Sequence, residues 1–141
     1  MRREKEISEN GVNIIIFFPF LSIIVRIITG GLIIMKFLVT GGAGFIGSNY
    51  LHYVVNKYSD DYFVCLDALT YAGNYNNIKD LEEKDNYKFV HGNITDRSFV
   101  YDLFAKEKFD VVINFAAESH VDNSIKDPEI FLRTNIIGTE V

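Results

Sequence analysis

Thr40-Gly41-Gly42-Ala43-Gly44-Phe45-Ile46-Gly47 is the stretch that decides the fold. The run before it, Lys36–Thr40, is short, apolar and closed by glycines, which predicts a buried strand. The run after it, Phe45–Tyr58, has apolar residues at helical spacing: Ile46, Tyr50 and Val54 on one line, Leu51, Val55 and Tyr58 on the next. Gly41, Gly44 and Gly47 follow G-x-x-G-x-x-G spacing, which differs from the G-x-G-x-x-G of other dinucleotide folds but shares its physics, and they sit between a strand and a helix as such a turn requires. Gly41 permits a tight turn, Gly44 lets the backbone approach a pyrophosphate, and Gly47 lets the helix pack on the sheet. The helix N-terminus then offers free N–H groups and a partial positive charge to phosphates.

Outward from this loop the pattern alternates. Tyr62–Asp67, Tyr87–His91 and Asp110–Phe115 read as further strands. Thr95 or Asp96 is placed to cap a helix whose buried stripe is Val100, Leu103 and Phe104, and Asp127-Pro128 opens another, with proline in its first turn. Strands alternating with such helices define an α/β fold: a Rossmann-type doubly wound parallel sheet, truncated after about four strands, its first strand beside both the second and the fourth. Asp67 ends the second strand at the distance where a carboxylate accepts both adenosine ribose hydroxyls. No arginine follows it to pair with a 2′-phosphate, which favours NAD over NADP.

The 141 residues carry a net charge of −5 with acids and bases interspersed, so no nucleic-acid partner is expected. The single cysteine, Cys65, excludes an internal disulfide framework, and its apolar surroundings make it a buried structural thiol. No His and acid pair has metal-ligand spacing, and no metal is expected. The chain divides at Met35. Residues 1–34 form a leader, apolar from Ile14 to Ile34 apart from Pro19, Arg26 and Gly30–Gly31. A transmembrane helix is one reading, since about 20 apolar residues span a bilayer. The reading adopted is a mis-assigned start, because a strand begins directly at Met35 and a span fused to a central strand would press the sheet against headgroups. Protein from the native gene is then expected to begin at Met35, with residues 1–34 making few contacts with the sheet, or packing as an isolated helix. Residues 35–141 are expected to form a partial NAD-binding domain, cytoplasmic and without a membrane partner.

Two further strings are specific. Asp67-Ala68-Leu69-Thr70-Tyr71-Ala72-Gly73-Asn74 and Ala116-Ala117-Glu118-Ser119-His120-Val121-Asp122 closely resemble signature segments of dTDP-glucose 4,6-dehydratases, members of the extended short-chain dehydrogenase/reductase superfamily, and the segment from Pro128 to Thr139 fits as well. The resemblance covers Met35 to Val141. It implies NAD as cofactor, with Phe45 and Ile46 at the pyrophosphate and Asp67, Ala68, Leu69 and Thr70 at the adenosine ribose. Asn93 and Ile94 are implied beside adenine, and Ala116, Ala117, Ser119, His120 and Thr134 on the nicotinamide side. His120 and Asp122 are implied to reach the sugar nucleotide, dTDP-glucose, and the full-length enzyme to be a homodimer. Two residues depart from the family pattern. Asn93 replaces an aspartate, and an amide there can still accept a hydrogen bond from the adenine amino group. Asn123 replaces an arginine, which bears on substrate preference and leaves NAD binding alone.

The reaction implied is a lyase reaction in which NAD takes a hydride from C4 of glucose, water is eliminated across C5 and C6, and the hydride returns to C6. The family's catalytic Tyr-x-x-x-Lys and Thr-Asp-Glu segments are expected beyond Val141, so no catalytic residue is assigned here. Tyr53 and Lys57 have the right spacing but fall on the first helix, in the wrong part of the fold. His52 is expected to face solvent, and His91 and Glu118 to be structural. The competing readings are a nucleotide-sugar 4-epimerase, which would share the loop and Asp67 but not the Ala116–Asp122 string, and a non-catalytic NAD-binding module.

Overall fold

The structure, a computed structural model, describes residues 7–9, 12–15 and 34–141. Its strands are β1 (Ile7–Glu9), β2 (Val12–Ile15), β3 (Lys36–Thr40), β4 (Tyr62–Asp67), β5 (Tyr87–His91) and β6 (Val111–Asn114). They form one sheet in the order β1-β2-β6-β3-β4-β5. The pairs β3–β4, β3–β6 and β4–β5 are all parallel. This is the expected order, with the first strand of the alternating pattern between the second and the fourth. The last strand is a residue shorter at each end than its apolar run. Asp110 turns its carboxylate to accept the Lys36 N–H at 2.9 Å.

Alternating side chains put two cores on the two faces of the sheet. Val39, Phe63, Cys65 and Tyr87 meet Leu51, Val54 and Val55 of α1 (Phe45–Lys57), with Ile78 and Leu81 from two 3₁₀ turns, Tyr75–Asn77 and Lys79–Glu83. Leu38, Val64, Leu66 and Val112 point the other way, towards Leu103 of α2 (Arg97–Glu107), with Phe99 and Phe104 packed alongside. Covering on both faces is what lets these strands read as continuous apolar runs rather than alternating ones. Burial pushes the Cys65 thiol up to about 12, so it stays a protonated core group.

The helix ends follow capping rules. Asp96 accepts from the Phe99 N–H at 3.1 Å and the Ser98 hydroxyl at 2.8 Å, and these bonds hold its carboxyl below the usual range. Asp127 caps α4 (Pro128–Leu132), which follows α3 (Val121–Lys126) and runs on through a π-helical turn, Arg133–Ile137, into α5 (Gly138–Glu140). On α1 the expected stripe needs correction at both ends. Ile46 and Tyr58 are exposed, and burial begins at Gly47 and Ser48.

The expectation that residues 1–34 make few contacts with the sheet fails for two stretches. β1 and β2 form an antiparallel pair, and β2 lies antiparallel on β6, matching Asn13 with Asn114, Ile14 with Ile113 and Ile15 with Val112. The physical reason is the edge of β6, whose outward N–H and C=O groups are a template for any strand-prone segment, and Val12, Ile14 and Ile15 are β-branched. Residues 16–33, and with them most of the run read as a membrane helix or a mis-assigned leader, lie outside the described residues. Among the described residues no helix is long and apolar enough to cross a membrane.

At the opposite end of the sheet from the glycine loop, the buried Glu107 carboxylate receives Lys36 at 2.9 Å and Lys88 at 2.7 Å. Those two ammonium groups, Lys88 foremost, hold its carboxyl below the usual range. A depressed folded-state pKa gives stability that is present above the unfolded value, about 4.3, and is lost as pH falls through the folded value. Glu107→Gln should therefore lower stability at pH 7 by about 1–3 kcal/mol, the scale of charge-assisted hydrogen bonds. In thermal melts the gap from wild type should close as the pH is taken below the carboxylate range. A gap that is independent of pH would reassign the effect to packing.

Candidate functional site

A cleft opens at the C-terminal ends of the four parallel strands, where an open α/β sheet receives ligands. Its wall is Gly41 and Gly44 from the loop after β3, the run from Leu66 through Asp67, Ala68, Thr70, Ala72 and Gly73 after β4, Gly92, Asn93 and Ile94 after β5, Phe115 to Glu118 after β6, and Thr134. The order across the sheet runs from the glycine loop after β3 to Asp67 at the end of β4 to Asn93 after β5.

The glycine loop is tied down on both sides. Its first N–H, from Gly41, donates to Leu66 O at 2.9 Å, and Ala43 O accepts from Asn74 N–H and from the Asn77 amide, each at 3.0 Å. Gly41 has φ +68°, and a Cβ there would lie 2.5 Å from Ala116 N, so both turn and neighbour demand glycine. For Gly47 the expected reason is corrected. Its Cβ would lie 2.3 Å from Gly41 O and 2.8 Å from Gly42 Cα, so the missing side chain lets the helix close on its own loop rather than on the sheet. At Gly44 a Cβ would stand 3.3 Å from Gly41 O, a tight contact, and 4.0 Å from Ala72 O, so it is less crowded than at Gly41 or Gly47. The first turn of α1 has no side-chain cap and no acidic residue. Its N–H groups at Phe45, Ile46 and Gly47 belong to the set that no helix satisfies internally. The side chains of Phe45 and Ile46 stand out in solvent at 83% and 64% exposure, which leaves the backbone as what these two residues can offer a ligand.

Asp67 joins the loop to the cleft. One carboxylate oxygen accepts the Ala43 N–H at 2.8 Å and the other the Leu69 N–H at 2.8 Å, which holds Leu69 at φ +50°. A carboxylate has about four acceptor positions, so about two remain for hydroxyl groups in the cleft. Gly73 is needed here, since a Cβ there would lie 2.7 Å from Asp67 Oδ1. At Asn93 the side-chain oxygen accepts both the Thr95 N–H and the Thr95 hydroxyl at 2.9 Å. The expectation that this oxygen could accept from an adenine amino group is thereby corrected, because both lone pairs are in use. His91, as expected, is structural: its Nε2 lies 3.2 Å from Ala68 O. His52 is less free than a solvent-facing residue, with Nε2 at 2.9 Å from Asn77 O.

On the far side, Asn135 clasps the Glu118 backbone from both directions, accepting its N–H at 2.8 Å and donating to its carbonyl at 2.9 Å. Glu118 is buried, consistent with a structural role, and also lines the cleft. The Tyr71 ring meets the His120 ring edge-on at 6.0 Å, joining the two loops that carry the specific strings. Ten of the residues singled out from sequence line one cleft: Gly41, Gly44, Asp67, Ala68, Thr70, Asn93, Ile94, Ala116, Ala117 and Thr134. Phe45, Ile46, Gly47, Leu69, Ser119, His120 and Asp122 are outside its wall. Leu66, Ala72, Gly73, Gly92, Phe115 and Glu118 were not assigned to the site, although Ala72, Gly73 and Glu118 lie within the two quoted strings and the other three adjoin a residue singled out at the end of a strand. Among the described residues no three His, Cys, Asp or Glu side chains converge as a metal set.

Sheet order, glycine loop and strand-end carboxylate together define a Rossmann-type nucleotide-binding fold. The chain belongs to the GDP-mannose 4,6 dehydratase family, whose model matches residues 38–141. It is 52% identical over 105 residues to the dTDP-glucose 4,6-dehydratase of Mycobacterium tuberculosis, covering 74% of this chain and 30% of that protein. A low-salt glycan biosynthesis protein of Haloferax volcanii is 54% identical over 106 residues, covering 75% and 33%. Among solved structures, the dTDP-glucose 4,6-dehydratase of Bacillus anthracis in complex with NAD matches at TM-score 0.65 and 43% identity, over 75% of this chain and 31% of that one. The UDP-Glc/GlcNAc 4-epimerase of Campylobacter jejuni matches at TM-score 0.68 and 34% identity, over 75% and 31%. Backbone shape does not separate dehydratase from epimerase, whereas sequence identity favours the dehydratases. The chain spans about a third of the length of the relatives it matches and corresponds to their N-terminal part.

Proposed function

We propose that residues 35–141 are the NAD-binding part of a dTDP-glucose 4,6-dehydratase, a cytoplasmic and homodimeric lyase that converts dTDP-glucose to dTDP-4-keto-6-deoxyglucose. The observation that carries this reading is the convergence of Gly41 and Gly44, Asp67 and the Ala116–Glu118 segment on one cleft at the uncapped start of α1, in a chain 52% identical to such an enzyme over 105 residues. The N–H groups of Phe45, Ile46 and Gly47 receive the pyrophosphate, with Gly41 and Gly44 keeping the backbone bare beneath it. Asp67 accepts the ribose hydroxyls, with Ala68, Leu69 and Thr70 beside it, and Asn93 and Ile94 flank the base. Ala116, Ala117, Ser119, His120 and Thr134 line the nicotinamide side, and His120 and Asp122 reach towards the sugar nucleotide. When bound, NAD supplies the hydride acceptor. This chain's residues bind and orient it.

Calorimetry on the 141-residue chain tests the reading. NAD should bind and NADP should bind more weakly, because the Asp67 carboxylate repels a 2′-phosphate. Asp67→Ala should weaken NAD by about 1–3 kcal/mol, the scale of charge-assisted hydrogen bonds. It should lower the melting temperature as well, because the Ala43 and Leu69 N–H groups lose their acceptor. Equal or tighter binding of NADP would remove Asp67 from the ribose.

A further inference from the structure

Asn93 closes an Asx turn: Thr95 gives both its backbone N–H and its hydroxyl to the Asn93 side chain, each at 2.9 Å. A backbone N–H can only donate, so the atom it meets must be the amide oxygen, and the orientation of the amide is fixed by chemistry. An amide oxygen has two lone pairs, and Thr95 takes both. What remains free of Thr95 is the NH₂ group, a pure donor on a residue that lines the cleft, without an acceptor among the described residues. An aspartate in the same turn would also spend one oxygen on Thr95 but would keep a second as an acceptor. The change from carboxylate to amide thus turns the exposed group from acceptor to donor while leaving the turn intact.

Asn93 follows β5, at the base end of the phosphate–ribose–base order set by the glycine loop and Asp67. A purine 6-amino group needs an acceptor, and the Asn93 amide presents none to it. We infer that Asn93 determines base specificity, and that it turns it away from the 6-amino purine: the amide NH₂ can donate to a 6-oxo group but meets a 6-amino group donor against donor. The inference rests on the proposed dinucleotide site and adds the chemistry of its base end.

The experiment compares NAD with nicotinamide hypoxanthine dinucleotide, which carries a 6-oxo group in place of the 6-amino group. Dissociation constants are measured by calorimetry on the 141-residue wild type and on Asn93→Asp, with melting temperatures to confirm that the Asx turn persists in the variant. Wild type should bind the 6-oxo compound at least as tightly as NAD, and Asn93→Asp should favour NAD by about tenfold, the scale of one hydrogen bond gained to the 6-amino group. A wild type that already prefers NAD tenfold, or a ratio unchanged in Asn93→Asp, overturns the inference and leaves the dinucleotide site standing. Binding of neither compound to wild type overturns the proposed function, and the inference falls with it.

Discussion

Replacing Gly47 with alanine should abolish NAD binding and destabilise the domain together. The added Cβ would stand 2.3 Å from Gly41 O and 2.8 Å from Gly42 Cα, both of them backbone atoms of the loop that it must spare. Backbone cannot rotate aside as a side chain can, and forcing an extra carbon into a packed site costs about 1–3 kcal/mol. The shift needed to relieve it moves Gly41 and Gly42, and with them the first turn of α1. A loss of at least a hundredfold in affinity is expected, equivalent to about 2.8 kcal/mol. Gly44→Ala is the informative contrast. Its Cβ would stand 3.3 Å from Gly41 O, a contact relieved by a shift of about a few tenths of an ångström, and 4.0 Å from Ala72 O, so the melting temperature should fall less than in Gly47→Ala. Binding should still fall, because the methyl occupies the space a phosphate needs. If Gly47→Ala bound NAD within threefold of wild type, loop closure would not be what the glycines serve.

The 141-residue chain should not turn over dTDP-glucose at a measurable rate. The reaction needs a base at C4 and an acid–base pair for the elimination, and such groups each contribute about 10²–10⁴-fold. Neither Tyr-x-x-x-Lys spacing within these residues, Tyr53 to Lys57 or Tyr75 to Lys79, lines the cleft. Tyr53 is 57% exposed on α1, its hydroxyl bonds to the Lys57 ammonium, and neither residue lines the cleft. Lys57 also lies over the Tyr53 ring at 4.8 Å and the Tyr58 ring at 5.3 Å, and its hydrogen bonds to the two hydroxyls, that of Tyr53 foremost, push its pKa up. A lysine held charged in this way belongs to a surface cluster. Purified chain incubated with dTDP-glucose and NAD should give no 4-keto product after alkaline treatment. Product above the no-protein control, abolished by Gly44→Trp, would show that these residues suffice for catalysis.

The parallel part of the sheet was legible because each strand is an apolar run closed by a turn signal. β3, β4 and β5 begin and end where those runs do. The cleft was legible for the same reason, since its residues follow strand ends in short strings. What escaped reading depends on partners remote in the chain. The second duty of Asp67, holding the Ala43 N–H, joins residues 24 positions apart, and the Asn135 clasp on Glu118 spans 17. Ile46 was misjudged because helical spacing carries no information about which helix end opens on a cleft. The pairing of β2 with β6 joins segments about a hundred residues apart, and nothing in the pattern of either one names the other. The Asn93 amide is a different kind of miss. Asn-x-Thr is a local turn signal, and asking where the Thr95 N–H goes would have shown which side-chain atom was left for a ligand.

The double covering of the sheet also limits how this chain can vary by descent. Leu38 and Val39 are neighbours in β3 yet belong to opposite cores, as do Val64 and Cys65 in β4. Exchange of one apolar residue for another leaves that division in place. Inserting or deleting a single residue within either strand would send every following side chain to the other face, exchanging what meets α1 with what meets α2. Changes of length in a lineage of such chains are therefore confined to the connections, and the spacing from Lys36 to the glycine loop is inherited as a unit.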